Sequence, residues 1–163
     1  MLPINDLHRH NQPLLDDLQR AMERVLRRGY YILGPEGQAF EHAFANYLKV
    51  ADAVAVGNGT DALELALRAL EVGPGDEVIT VANAGMYASS AIRAVGAEPR
   101  YVDIEPVHLL MDVSLVAPLI GPRTRAVIAT HLYGRMADVG RLRALCDGAG
   151  VALIGDCARA DGA

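Results

Sequence analysis

Ala126-Val127-Ile128-Ala129-Thr130, the periodic run Val139–Asp147, and Val151-Ala152-Leu153-Ile154 spell strand, helix, strand. The two outer runs are apolar almost throughout instead of alternating, the mark of strands buried on both faces in a parallel sheet. The same rhythm extends toward the N-terminus. Strands are predicted at Arg100-Asp103, Val78-Val81 and Ala53-Val56, with helices at Tyr87–Val95 and Thr60–Leu70 between them. A further helix is predicted over Leu115–Ile120. Gly73-Pro74-Gly75-Asp76, Gly121-Pro122-Arg123 and Gly148-Ala149-Gly150 punctuate the elements as turns. Before the first strand lie two helices, one from Leu14 to Arg28 and one marked by Phe40, Phe44, Tyr47 and Leu48. The βα order predicts an α/β doubly wound layer preceded by a helical arm, with the arm at 1–50 and the sheet domain at 51–163.

Composition narrows the function. The 163 residues suit one domain, and 15 basic against 20 acidic side chains give a net charge of −5. That balance argues against a nucleic-acid partner, whose phosphates call for concentrated positive charge. Apolar residues make up 52%, with no run of bilayer length, so no membrane partner is expected. Met1-Leu2-Pro3-Ile4-Asn5-Asp6 carries no secretory pattern, and two cysteines make no disulfide framework. A soluble cytoplasmic protein is the expectation. Only one of the basic residues, Lys49, is a lysine.

Ligands of such sheets bind beyond the carboxyl ends of the strands. Gly57-Asn58-Gly59-Thr60-Asp61-Ala62 follows a strand and opens a helix, where free N–H groups favour an anion. Gly59 and Thr60 are therefore candidate phosphate ligands, and a plain N-cap turn is the competing explanation. The pattern also approaches a dinucleotide fingerprint, but that fingerprint wants an acid at the carboxyl end of the next strand. Asp76 and Glu77 stand at its amino end instead. Asp156 follows the last strand, where a carboxylate can cap the next turn, hold a metal or pair with a cationic ring nitrogen. The five histidines show no ligand spacing on one element apart from His8 and His10, so no metal is expected. His131 either lines the site or is satisfied in the core, and Cys157 reads as a small buried hydrophobe.

Tyr30–Glu36, Gly59–Leu63, Gly73–Ile79, Val102–Ile104, His131–Gly134 and Asp156–Ala163 occur in the order found in one enzyme family. With them the chain resembles the N-terminal part of a DegT/DnrJ/StrS-type aminotransferase. The resemblance implies the three-layer, mostly parallel sheet of the pyridoxal-phosphate (PLP)-dependent transferase large domain, incomplete at its C-terminus. It implies PLP as cofactor, a nucleotide-linked keto sugar as substrate, an amino donor such as glutamate, and a homodimer. By position, Gly59 and Thr60 would bind the cofactor phosphate and Asp156 its pyridine nitrogen. The aromatic residue that stacks on the ring corresponds to Gly85, which leaves Tyr87 as the candidate for that role. Arg159 stands where the family usually has a glutamine near the cofactor's phenolic oxygen, and Gly155 where it commonly has glutamate.

Transamination needs a Schiff-base lysine. In the family it comes after the aspartate strand, whereas Lys49 ends the second helix, so no catalytic residue is assigned. The expectation is a truncated N-terminal portion of a sugar aminotransferase, inactive by itself. Its Ala53-Val56 strand would lack both sheet neighbours, leaving the chain marginally stable or prone to associate. The alternatives are a non-catalytic phosphate- or PLP-binding partner of a full-length subunit, and a small NAD-type nucleotide binder.

Overall fold

In the computed structural model, which describes residues 6–160, four strands form one all-parallel sheet in the order β2-β1-β3-β4. They are β1 Glu77–Val81, β2 Glu98–Val102, β3 Thr124–Thr130 and β4 Ala152–Asp156. The central pair behaves as its composition predicts. All of β1 is buried, and all of β3 except Arg125. The outer strands are more exposed, and β2 carries Pro99 and Arg100, residues that discourage further pairing at an edge.

Side chains alternate between the two faces. Val78, Ala126 and Ile128 point to one face, under helices α4 (Gly59–Ala69) and α5 (Tyr87–Ala94), against Leu63, Leu67, Ala88, Ala91 and Ile92. Ile79, Val81, Val127 and Ala129 point to the other, against Leu142 and Cys146 of α6 (Val139–Ala149) and Leu110, Met111, Val113 and Val116. Helix, sheet and helix-plus-loop make three layers around a core split in two by the sheet.

The chain divides into two compact units at Ala55/Val56. The first contains α1 Leu7–Asn11, α2 Leu15–Arg28 and α3 Pro35–Leu48. Gly29, in the left-handed region, ends α2. Arg24 donates twice to the Glu36 carboxylate at 3.1 Å and Arg28 once at 3.2 Å, tying α2 to the start of α3. Arg24 holds the Glu36 carboxyl below the usual range.

Two sequence expectations fail here. Ala53–Val56 forms no strand: it pairs with none of the four strands, and Ala55 N–H instead donates to Glu41 Oε1 at 2.8 Å. A strand exists only through its neighbours, and this segment pairs with none of the described strands, the lack of sheet neighbours that the resemblance implied. Leu115–Ile120 forms two short 3-10 turns, Val113–Leu115 and Ala117–Leu119, in place of a helix. Pro118 lacks the N–H that a continued α-helix needs.

No described helix is long and apolar enough to cross a membrane.

Candidate functional site

Helix α4 begins at Gly59 because Asn58 caps it. Its side-chain oxygen accepts from Asp61 N–H at 2.9 Å, and its amide donates to the Asp61 carboxylate at 2.9 Å. The turn is a capped helix start, with Asn58 as its cap. Thr60 is not the cap, so its hydroxyl is not committed to the helix start. A Cβ on Gly57 would lie 2.7 Å from Asp61 Oδ2, so a larger residue there would displace the carboxylate that the Asn58 amide holds. A Cβ on Gly59 would meet nothing within 4 Å, so the first turn of α4 opens onto free space.

That space is a cleft of about 510 Å³ at the carboxyl edge of the sheet. Asn58, Gly59, Thr60 and Leu63 line it from α4, Tyr87 from the start of α5, and Asp156, Ala158 and Arg159 from the end of β4. All five residues singled out from the sequence (Gly59, Thr60, Tyr87, Asp156 and Arg159) thus meet in one cavity. Asn58 was missed as a site residue, although an asparagine just before a helical run is a recognisable cap signal.

Asp156 is half-buried at the end of β4, on the face that α4 and α5 cover. Its carboxylate accepts a long bond, 3.3 Å, from Ala158 N–H, closing a turn that continues to Ala160 with no helix among the described residues. Beside Asp156 in register on β3 is Thr130, whose buried hydroxyl has no hydrogen-bond partner.

The Tyr87 ring occupies the space that a side chain at position 85 would enter. Gly85 has φ +69°, and a Cβ built on it would lie 3.0 Å from Tyr87 Cε2 and 3.3 Å from Cδ2. A side chain at 85 would require the Tyr87 ring to give way by a few tenths of an ångström, on a backbone that favours glycine.

Other candidates fall outside the cleft. His131 is buried under the sheet, its Nδ1 accepting from Ala137 N–H at 3.0 Å, and burial pushes its pKa below the ordinary histidine value. With Nδ1 an acceptor, the neutral ring carries its proton on Nε2, the nitrogen facing Gly155. Cys157 is exposed, not buried, because β4 has ended; Cys146 is the buried cysteine. Asp76 and Glu77 sit at the opposite edge of the sheet, bound there to Arg125 (3.0 Å) and to Arg123. The Gly73 N–H and the Arg125 guanidinium hold the Asp76 carboxyl below its usual value. Among the described residues, no three histidine, cysteine or acidic side chains are grouped to hold a metal. Asp161–Ala163, the end of the last quoted motif, lies outside the described residues.

The sequence from residue 14 to 163 matches the DegT/DnrJ/EryC1/StrS aminotransferase family. It is 46% identical over 162 residues to the erythromycin biosynthesis sensory transduction protein EryC1 of Saccharopolyspora erythraea, covering 99% of this chain and 44% of that one. It is 43% identical, with 99% and 43% covered, to the dTDP-3-amino-3,4,6-trideoxy-alpha-D-glucose transaminase of Streptomyces venezuelae. The structure superposes with a TM-score of 0.95 on S. venezuelae DesV in complex with a ketimine intermediate, at 43% identity, covering 99% of this chain and 43% of that one. It superposes with a TM-score of 0.87 on Bacillus subtilis NtdA with bound pyridoxamine phosphate, at 32% identity, covering 91% and 34%. The chain spans less than half the length of these relatives. With its sequence matched almost end to end and its sheet superposed on theirs, the chain belongs to the DegT/DnrJ/EryC1/StrS aminotransferase family.

Proposed function

We infer that this chain carries the cofactor-cradling part of a PLP-dependent aminotransferase of nucleotide-linked keto sugars. The observation that carries this reading is the meeting of Gly59, Thr60, Tyr87 and Asp156 in one cleft. The residues fit the group. The capped start of α4 presents unpaired N–H groups and the Thr60 hydroxyl to a phosphate. The weakly engaged Asp156 carboxylate is suited to holding a proton on a ring nitrogen, and Tyr87 offers a flat face for the ring. When bound, PLP supplies the electron sink for amino transfer. The amino donor, glutamate by family resemblance, and a homodimeric assembly belong to the same proposal.

No residue of this stretch is assigned the Schiff-base role, so none is expected to form an adduct with the cofactor. Lys49, its one lysine, C-caps α3 in the helical unit, exposed and in the left-handed region with φ +56°. The same observation favours a second reading, a non-catalytic binding partner of a lysine-bearing subunit. A dinucleotide is disfavoured, because Ala82 and Asn83 follow β1 where a ribose-binding acid would stand.

Titration of the chain with PLP and with NAD, followed by fluorescence, separates these. Expected is saturable PLP binding, no comparable NAD binding, and about a tenfold loss of PLP affinity in Thr60→Ala, the size of one hydrogen bond to a charged group. Borohydride is expected to leave no adduct. Preference for NAD would overturn the cofactor, and a stoichiometric adduct on Lys49 with turnover would give Lys49 the Schiff-base role.

The Tyr87 assignment has its own test. Tyr87→Ala is expected to weaken PLP binding by roughly threefold to tenfold, the size of an aromatic contact. Tyr87→Phe, which keeps the ring, should retain most of the affinity; a loss equal to that of Tyr87→Ala would mean that the hydroxyl and not the ring makes the contact.

A further inference from the structure

Two buried side-chain oxygens among the described residues have no hydrogen-bond partner, the hydroxyls of Thr80 and Thr130. Both threonines belong to central strands, and they are 0% and 4% exposed. A buried hydroxyl without a partner costs stability, so each calls for a reason. Their surroundings differ. Thr80 stands beside Tyr101 of β2, and β3 separates it from β4. Thr130 stands beside Asp156, at the last pair of the β3–β4 register.

The backbone fixes that neighbourhood. His131 N–H donates to Asp156 O at 2.9 Å, closing the ladder immediately beyond the pair. Strands so bonded lie about 4.8 Å apart, and residues opposite one another in a parallel register share a face. That face is the one under α4 and α5. Ala126 and Ile128 precede Thr130 on it, and Ala152 and Ile154 precede Asp156. His131 is turned the other way, its Nε2 toward Gly155. Thr130 therefore offers a donor without an acceptor beside an acceptor with room to spare. Among the described residues, the Asp156 carboxylate accepts only the 3.3 Å bond from Ala158 N–H. Half-buried against the cleft, it is open to water there. A ligand that fills the cleft displaces that water and leaves the carboxylate in need of donors.

We propose that Thr130 is a positioning residue for Asp156, its hydroxyl donating to the carboxylate when a cationic ring nitrogen is paired with it. Redirecting the hydroxyl needs only a change of χ1 between staggered rotamers. Thr130 does not line the cleft, so it acts through Asp156 alone. The bond fixes the plane of the carboxylate and supports its negative charge, which a ring nitrogen needs beside it to keep its proton. Resting on the PLP reading of the cleft, this role makes the hydroxyl a cost to the empty chain and a contribution to the occupied one.

The test compares the 163-residue chain with its variants by melting curve and by PLP titration followed by fluorescence. Thr130→Val and Thr80→Val keep the shape and remove one hydroxyl each, and each is expected to raise the melting temperature by about 2–4 °C. Only Thr130→Val should weaken PLP binding, by about tenfold, while Thr80→Val stays within about twofold of the parent and Thr130→Ser regains most of the affinity. In the Asp156→Asn background the loss caused by Thr130→Val should shrink to about twofold or less, because the charged acceptor is gone. Additive losses there would mean that Thr130 acts independently of Asp156 and would overturn the proposal. So would equal PLP affinity of Thr130→Val and the parent, or an equal loss in Thr130→Ser. A fall in the melting temperature of Thr130→Val would show that the hydroxyl serves the fold, and would overturn it as well. Failure of the parent to bind PLP would sink the cofactor reading and this role with it, whereas an unaffected Thr130→Val beside a weakened Thr60→Ala sinks this role alone.

Discussion

Asp156→Asn is expected to weaken PLP binding by about tenfold to a hundredfold while leaving the thermal unfolding of the chain nearly unchanged. A hydrogen bond to a charged partner contributes about 1.5–3 kcal/mol, and every 1.4 kcal/mol is a factor of ten. The asparagine keeps the size and an acceptor oxygen, so the 3.3 Å bond from Ala158 N–H can survive. What it loses is the negative charge that keeps a pyridine nitrogen protonated. Stability should be indifferent because, among the described residues, no cationic side chain is bound to the Asp156 carboxylate, and the one hydrogen bond that carboxylate accepts is long. The check is a fluorescence titration beside a melting curve. Equal affinity of the variant and the parent would mean that the carboxylate serves only the turn it closes. A large fall in melting temperature would mean that it supports the fold instead.

The sheet was legible because its information is local. Val78, Ile79 and Val81 are apolar without alternation, and so are Ala126 to Ala129, and these became the two buried central strands. Ala53–Val56 has the same composition and formed no strand, because pairing depends on neighbours that a run of four residues cannot specify. Leu115–Ile120 misled differently: its apolar spacing is helical, but Pro118 sits inside it and short 3-10 turns seat Val113 and Val116 equally well. At the site, residue types that imply chemistry by themselves were readable, a glycine turn opening a helix and an acid ending a buried strand. The role of Asn58 required knowing which residue begins α4. The contact between Tyr87 and Gly85 depends on a glycine at positive φ, which composition does not reveal.

The two halves of the core should therefore respond differently to the same injury. Ile128→Ala and Ile79→Ala each remove a fully buried isoleucine from a central strand, and each is expected to destabilise the chain by about 2–5 kcal/mol. Against a typical domain stability of about 5–15 kcal/mol, either is a large fraction. The sheet separates their consequences. Ile128 packs in the cluster that contains Leu63 and Leu67, the residues by which α4 is seated. Ile79 packs in the opposite cluster, with Leu142 and Cys146 of α6. A cavity under α4 loosens the helix whose first turn, Gly59 and Thr60, forms the phosphate cradle. A cavity of the same size above α6 leaves that helix in place. In urea, the two variants should show similar losses in midpoint. In a PLP titration under folding conditions, Ile128→Ala should lose affinity several-fold more than Ile79→Ala. Hydrogen exchange should locate the difference in α4, with faster exchange over Leu63–Ala69 in Ile128→Ala only. Equal affinities at equal destabilisation would show that the cradle is held by its own capping bonds between Asn58 and Asp61, and not by the packing beneath it.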